Sequence, residues 1–236
     1  MTKEPLYDVW WKKAGESEQI MEDGHAPHWK KVLDAMLEKD LSKCSVLDIG
    51  CNQGGFLRYL YARRPFQKGL GIDLATQSVA VANGRRGDLP LSYFATGEPQ
   101  ELGEQFDLAV SISVIYLIRD LRGHAQKVRG ALKPGGVYYT SFADYNGNPS
   151  FPRIKRQIDE NGATPLQMHT LDDIANAFFD EGFDVSLRRL VPTGYVPLTR
   201  PDPWYDAISH RMLYEYEQGY IFRMEAPGCQ AAFPQL

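Results

Sequence analysis

The sequence has little from which a metal centre, a disulfide framework or a membrane anchor could be built. Its three cysteines, Cys44, Cys51 and Cys229, are odd in number and lack metal-ligand spacing. They point to a reducing compartment, no structural disulfide and no metal site. No apolar run approaches the roughly 20 residues that a membrane-spanning helix needs. The amino-terminal stretch mixes charged and aromatic residues where a signal peptide would carry a continuous apolar core, so a cytoplasmic location is expected. An excess of positive charge is also missing. With 26 Lys and Arg against 30 Asp and Glu, the net charge of −4 gives no general attraction to nucleic acid or an acidic membrane. Internal repeats and low-complexity tracts are absent.

What remains is an ordinary globular composition, 43% hydrophobic and 24% charged over 236 residues, which suits one domain with a sizeable core. The stretch SVLDIGCNQGGFLRYL, from Ser45 to Leu60, organises it. Val46, Leu47 and Ile49 form a short apolar run of the kind buried on both faces of a parallel sheet. Gly50 to Gly55 form a loop, and Phe56, Leu57, Leu60 and Tyr61 recur at helical spacing. A loop between strand and helix is expected to offer free backbone N–H groups and the positive end of a helix dipole to a polar cofactor. Gly69 to Asp73 then reads as a second strand ending in an acid about 20 residues beyond the loop, where a carboxylate accepts hydrogen bonds from both ribose hydroxyls.

These residues resemble the class I S-adenosylmethionine-dependent methyltransferases, over roughly Ser45 to Val191. The family's acidic residue and Gly-x-Gly-x-Gly correspond to Asp48, Gly50, Asn52 and Gly54, with Asn52 replacing the middle glycine. Asparagine tolerates the left-handed backbone region better than most residues. Gly97, Glu98 and Pro99 stand where the family has Gly-Asp, whose carboxylate reaches the adenine amino group. Phe106 to Ser113 resembles the fourth strand, and Leu132 to Gly136, Leu-Lys-Pro-Gly-Gly, the turn before the fifth. That turn has a structural reading, glycine capping the preceding helix and proline preventing its continuation. The resemblance therefore implies an α/β fold, a doubly wound, mostly parallel seven-stranded sheet with an antiparallel last strand. It also implies S-adenosyl-L-methionine as cofactor, yielding S-adenosyl-L-homocysteine, and a cofactor site of Asp48, Gly50, Cys51, Asn52, Gly54, Asp73, Leu74, Glu98, Pro99 and Ser111.

The expected organisation is a single domain over 1–236, with a helical cap over 1–40, a cofactor-binding core over 41–191 and a lid insertion over 192–218. A helix opening at Pro27 supports the cap, and the resemblance makes Tyr7, Trp10 and Trp11 part of a cover over the cofactor. Residues Ala75 to Asn83 read as a helix closed by Gly84. Thr170 and Asp173 suit a capping box. Phe183 to Val191 and Tyr220 to Met224 read as the last two strands. The long connection between them, broken by Pro192, Pro197, Pro201 and Pro203, carries Tyr195, Trp204 and Tyr205 and is expected to order as a lid.

Candidates by type for a general base are His28, His169, His210, Tyr116 and Tyr145, though no neighbour marks any of them as catalytic. Arg153, Lys155 and Arg156 follow the fifth strand and could clamp an anionic acceptor, or form a solvated helix face. The expected activity is methyl transfer to a small molecule, aromatic or anionic. Three alternatives stay open at this point: an RNA or protein methyltransferase with the same core, an NAD(P)-dependent oxidoreductase using Gly50, Asn52 and Gly55, and a non-catalytic cofactor-binding protein.

Overall fold

A computed structural model describes residues 4–13 and 18–228 of the chain, so Cys229 lies outside the described residues. Seven strands form one sheet: β1 (Leu41–Ile49), β2 (Phe66–Asp73), β3 (Leu91–Ala95), β4 (Phe106–Ser111), β5 (Leu132–Ala143), β6 (Asp184–Arg189) and β7 (Gly219–Glu225). Their spatial order is β3-β2-β1-β4-β5-β7-β6. All pairings are parallel except those of β7, which runs antiparallel to β5 and to β6. Neighbouring β1 and β4 are reached from opposite sides of the chain order, and their carboxyl ends open the crevice where open α/β sheets bind ligands.

The helices α1 (Glu18–Ala35), α2 (Gly55–Tyr61), α3 (Thr76–Arg85), α4 (Leu121–Ala131), α5 (Phe151–Asn161), α6 (Leu171–Phe179) and α7 (Ile208–Leu213) cover the sheet and its edge. Alternation along the strands sends Val46, Leu108 and Tyr139 into a core beneath α1, α2 and α3, and Leu47, Ala109 and Tyr138 into one beneath α4 and α6. A third, smaller core lies off the sheet. It joins Ile154 and Ile158 of α5 to Leu166 and Tyr205, with Trp10, Tyr145, Trp204 and Tyr214 against them.

Several boundaries differ from the sequence reading for identifiable reasons. Gly84 does not close α3, which continues to Arg85; the left-handed residue that turns the chain is Gly87 (φ 56°). The glycines of the Leu-Lys-Pro-Gly-Gly segment do not cap α4, whose cap residue is the extended Leu132. Strand β5 begins at Leu132 directly after α4, and the pairing jumps from Phe106↔Leu132 to Leu108↔Val137, so Lys133 to Gly136 bulge out of the ladder. A Cβ on Gly136 would stand 3.0 Å from the Phe106 carbonyl oxygen, which is why a glycine fits there. Helix α1 starts before Pro27 and carries it inside. Thr170 and Asp173 do form a reciprocal capping box at the start of α6.

Candidate active site

The loop after β1 is held in shape by its backbone amides, most of them bonded to the end of β2. Gly50 (φ 79°), Asn52 (φ 45°) and Gly54 (φ 75°) are all left-handed. The amides of Gly50 and Cys51 donate to the Ile72 carbonyl at 2.8 and 3.0 Å, that of Gly54 to Cys51, and that of Asn52 to the Asp73 carboxylate at 2.7 Å. Four of the N–H groups expected to face a ligand are thus committed within the protein, three to the end of β2 and one to the loop. The loop supplies shape more than donors. At Gly50 a Cβ would meet Val114 at 2.6 Å, and at Gly54 it would meet the Tyr93 ring at 2.5 Å, so both glycines are required by packing as well as by φ.

The two acids flanking the loop differ sharply. Asp73 is embedded in hydrogen bonds, its second oxygen accepting the Ala75 amide at 2.8 Å. Each oxygen of an ionised carboxylate has two lone pairs, so further acceptor capacity remains for ribose hydroxyls. Asp48 is 2% exposed, and its Oδ2 has no partner among the described residues. Burial, reinforced by the nearby charge of Asp73, pushes its carboxyl up to about 8. A buried carboxyl oxygen without a donor is an incomplete arrangement that a ligand bearing N–H groups or positive charge would complete. S-adenosylmethionine carries both, and the residues present fit it.

A cleft of about 2350 Å³ runs from this loop across the carboxyl ends of β4 and β5. A typical small-molecule site is roughly 300–1,000 Å³, so the cleft has room for a cofactor and a second molecule. Asp48, Gly50, Cys51, Asn52, Asp73 and Leu74 line it. Gly54, Glu98, Pro99 and Ser111 do not, although Gly97 does. The Glu98 carboxylate is held by Lys127 at 2.8 Å and by the Gln100 side-chain amide at 2.6 Å. Ser111 is fully buried within β4, its carbonyl accepting from the Thr140 hydroxyl at 2.9 Å.

Two segments remote in sequence close the far half of the cleft. Residues 7–12 are stitched by backbone bonds to both sides of it: the Tyr7 amide donates to Leu74, the Thr76 amide to Tyr7, the Lys12 amide to Asn161 and the Ala163 amide to Trp10. The connection before β7 is anchored on α5, where Arg153 pairs with Asp206 at 2.8 Å and Gln157 donates to the Pro203 carbonyl at 2.7 Å. The two segments touch, with Trp11 and Trp204 ring centroids 5.9 Å apart. Tyr145, Tyr205 and Tyr214 stack beside them at centroid distances of 5.5 and 5.8 Å. Burial pushes the phenols of Tyr116, Tyr145 and Tyr205 well above their ordinary range, and they stay protonated.

The cations expected as an anion clamp do not serve one. Arg153 is spent on Asp206, and Lys155 on Asp159 one turn along α5. Neither they nor Arg156 line the cleft, which receives the apolar face of α5 through Ile154 and Ile158. Lys31 and Arg211 do line it, but Lys31 pairs with Glu215 at 3.0 Å and Arg211 with Asp202 at 2.9 Å.

Among the candidate bases, His169 donates to the Ile118 carbonyl at 2.6 Å and His210 bonds Ser150 at 2.8 Å away from the cleft. His28 faces the cleft with Nε2 3.2 Å from the Ser141 hydroxyl, and burial together with Lys31 and His25 lowers it to about 3. Ser113 lines the cleft within the stretch Ser111 to Tyr116 that the parallel-sheet rule expects to face cofactor or substrate, whereas Ser141 and His25, which also line it, carry no such expectation. The one available signal was position, since Ser141 falls near the carboxyl end of β5. Among the described residues no group of His, Cys, Asp and Glu could hold a metal ion, and no helix is long and apolar enough to cross a membrane.

Residues 47–138 match the family model described as a methyltransferase domain. The chain is 28% identical over 149 residues to the malonyl-[acyl-carrier protein] O-methyltransferase of Acetivibrio thermocellus, covering 58% of this chain and 53% of that protein. It is 28% identical over 146 residues to the ubiquinone biosynthesis O-methyltransferase of Paramagnetospirillum magneticum, covering 56% and 57%. The chain thus spans about half the length of the curated relatives it matches. Among solved structures, the S-adenosylmethionine-dependent methyltransferase of Mesorhizobium loti superposes with a TM-score of 0.65 at 21% identity, covering 86% of this chain and 99% of that one.

Proposed function

Because the chain belongs to the class I S-adenosylmethionine-dependent methyltransferases, we propose that it moves the cofactor's methyl group to an oxygen of a small, largely uncharged and aromatic acceptor. The observation that carries this reading is the division of the cleft. Its β1–β2 side presents the two acids and the left-handed loop, while its β5 side is walled by Trp11, Trp204, Tyr145 and Tyr214. Such rings give a compact acceptor apolar area with few rotatable bonds. Of the cations that line the cleft, Lys31 and Arg211 are the ones paired with carboxylates of the late insertion and α7 region, and recruiting either to an anion would strand its carboxylate partner, which supports an uncharged ring beside them. Two of the relatives are named as O-methyltransferases, which supports oxygen as the acceptor atom.

When bound, the cofactor supplies an electrophilic methyl carbon on a positively charged sulfur. The protein's part is positional. Asp73, which fixes the loop, would hold the ribose hydroxyls, Asp48 would offer its unpartnered oxygen to a donor or positive charge on the cofactor, and the aromatic walls would exclude water and orient the acceptor. Such positioning supplies roughly 7–11 kcal/mol in favourable cases. Binding of S-adenosylhomocysteine but not NADH, with label passing from methyl-labelled cofactor to hydroxylated aromatics and not to total RNA or protein, is the expected result. Label found only in RNA or protein would overturn the acceptor class.

A further inference from the structure

The order of the strands fixes the order of events across the cleft. The ribose carboxylate is at the end of β2 and the orphaned Asp48 at the end of β1; the next strands are β4 and β5, beyond which the aromatic chamber begins. The reacting atoms must therefore meet above the ends of β4 and β5. Three polar side chains or amides stand there. The Ser113 amide donates to the Ser141 hydroxyl oxygen at 2.9 Å, and that oxygen lies 3.2 Å from His28 Nε2. All three residues line the cleft. Ser113 holds its amide in place from a left-handed conformation (φ 61°) that a non-glycine residue adopts only when its surroundings impose it.

The Ser113 N–H uses one of the two lone pairs of Ser141 Oγ, and when the His28 ring hydrogen sits on Nδ1 the serine's own hydrogen is donated to Nε2, which is the arrangement a relay requires. One lone pair of Ser141 Oγ is left to receive a hydrogen from a ligand. We propose that Ser141 and His28 form the proton relay of the methyl transfer, and that the acceptor is a molecule whose hydroxyl loses its proton on methylation. The inference rests on the methyl-transfer reading.

In the step, the acceptor oxygen forms a bond to the methyl carbon while the carbon–sulfur bond breaks and its electron pair stays on sulfur. The acceptor's hydroxyl proton passes to Ser141 Oγ, and the serine's proton passes to His28 Nε2, from which it returns to solvent. One positive charge disappears at sulfur as one appears on the imidazole, so the charge enclosed by the cleft does not change. Burial, with Lys31 and His25 beside it, keeps His28 neutral beforehand and disfavours its imidazolium, so the ring takes the proton only as the positive charge at sulfur is lost.

The test compares the parent with Ser141→Ala and His28→Gln, using a naphthol and the matching naphthalenethiol as probe acceptors. The thiol ionises without help and needs no relay. Both variants are expected to lose naphthol methylation on the order of a hundredfold to ten-thousandfold. They should keep S-adenosylhomocysteine affinity within about twofold and lose far less with the thiol. Independently of turnover, nitrogen NMR of the S-adenosylhomocysteine complex should show His28 as the Nδ1–H tautomer in the parent, with that preference lost in Ser141→Ala. Equal losses on both probes, unchanged naphthol turnover in His28→Gln, or an Nε2–H tautomer in the parent would overturn the relay. A parent that binds S-adenosylhomocysteine but methylates only the thiol overturns the hydroxyl acceptor while leaving methyl transfer standing. A parent that neither binds it nor methylates either probe sinks the underlying reading instead.

Discussion

Over β2 and β1 the cleft is framed by bonds between neighbours: Asp73 to the amides of Asn52 and Ala75, and the loop amides to Ile72 on the adjacent strand. Over β5 it is framed by groups that only the finished fold brings together, such as Trp11 with Trp204, Lys31 with Glu215, and His28 with Ser141. The first half is a property of two strand-to-helix turns and forms when they do. The second depends on an amino-terminal segment and a late insertion docking on each other. A perturbation should therefore damage cofactor binding when it strikes the first half, and acceptor handling when it strikes the second.

The largest expected effect belongs to Asp48. Its folded-state pKa, about 8, lies above the value near 4 of an unfolded aspartate. The sign follows: the folded protein holds this proton more tightly, so the contribution is fully present below about pH 4 and is lost as pH rises through about 8. At roughly 1.4 kcal/mol per unit, the swing is on the order of a few kcal/mol. Urea midpoints of the ligand-free protein should fall from mildly acidic to alkaline pH, and Asp48→Asn should flatten the decline. A decline of equal slope in the variant would assign it to other groups. Saturating S-adenosylmethionine should also flatten it, by giving the ionised carboxylate a cationic partner.

Asp73→Ala comes next. It removes the ribose acceptor and, through the Asn52 amide, the clamp that shapes the loop. Hydrogen bonds to a charged group are worth about 1.5–3 kcal/mol each, so S-adenosylhomocysteine affinity by calorimetry should drop by two or more orders of magnitude. A drop under tenfold would mean that the loop keeps its form without the carboxylate.

A paired glycine test separates backbone strain from packing at the cleft. Gly50 and Gly147 have similar φ, 79° and 75°, but a Cβ meets Val114 at Gly50 and nothing within 4 Å at Gly147. Alanine at Gly147 should cost about 1–2 kcal/mol for the left-handed backbone alone. Alanine at Gly50 should add roughly 1–3 kcal/mol for overpacking. Melting curves giving equal losses would show that Val114 yields freely.

The same contrast explains what could be read from the sequence. The alternation of strands and helices follows from local patterns, apolar runs, glycine turns and helical periodicity, while the antiparallel direction of the last strand comes from the family resemblance. That Gly50, Asn52 and Asp73 lie together along the cleft could be read because the hydrogen bonds joining them span two adjacent turns. The pairing of Glu98 with Lys127 was not, since the lysine arrives from α4. Nor was the turning outward of Arg153 and Lys155, because a helix beginning at Phe151 places Ile154 and Ile158 on the inner face and the cations elsewhere. The Ser141–His28 contact, 113 residues apart in sequence, had no local signal at all.

The smallest effect expected is also the most selective. Trp204 lies on the late insertion, and its ring meets Trp11 of the amino-terminal segment. Trp204→Ala removes one aromatic pair, worth about 0.5–1.5 kcal/mol beyond the area it buries. The backbone bonds at Tyr7, Trp10 and Ala163 still hold the amino-terminal segment across the cleft. S-adenosylhomocysteine affinity should therefore change by less than about threefold, within the value of a single lost contact. With a naphthol as acceptor, KM should rise by about threefold to tenfold while the turnover at saturation stays near that of the parent. That split is what loss of an acceptor wall produces, because the same contact is lost from the bound acceptor and from the transition state alike. A fall in cofactor affinity equal to the rise in acceptor KM would instead make the two halves of the cleft one cooperative unit, and the distinction between them would fail.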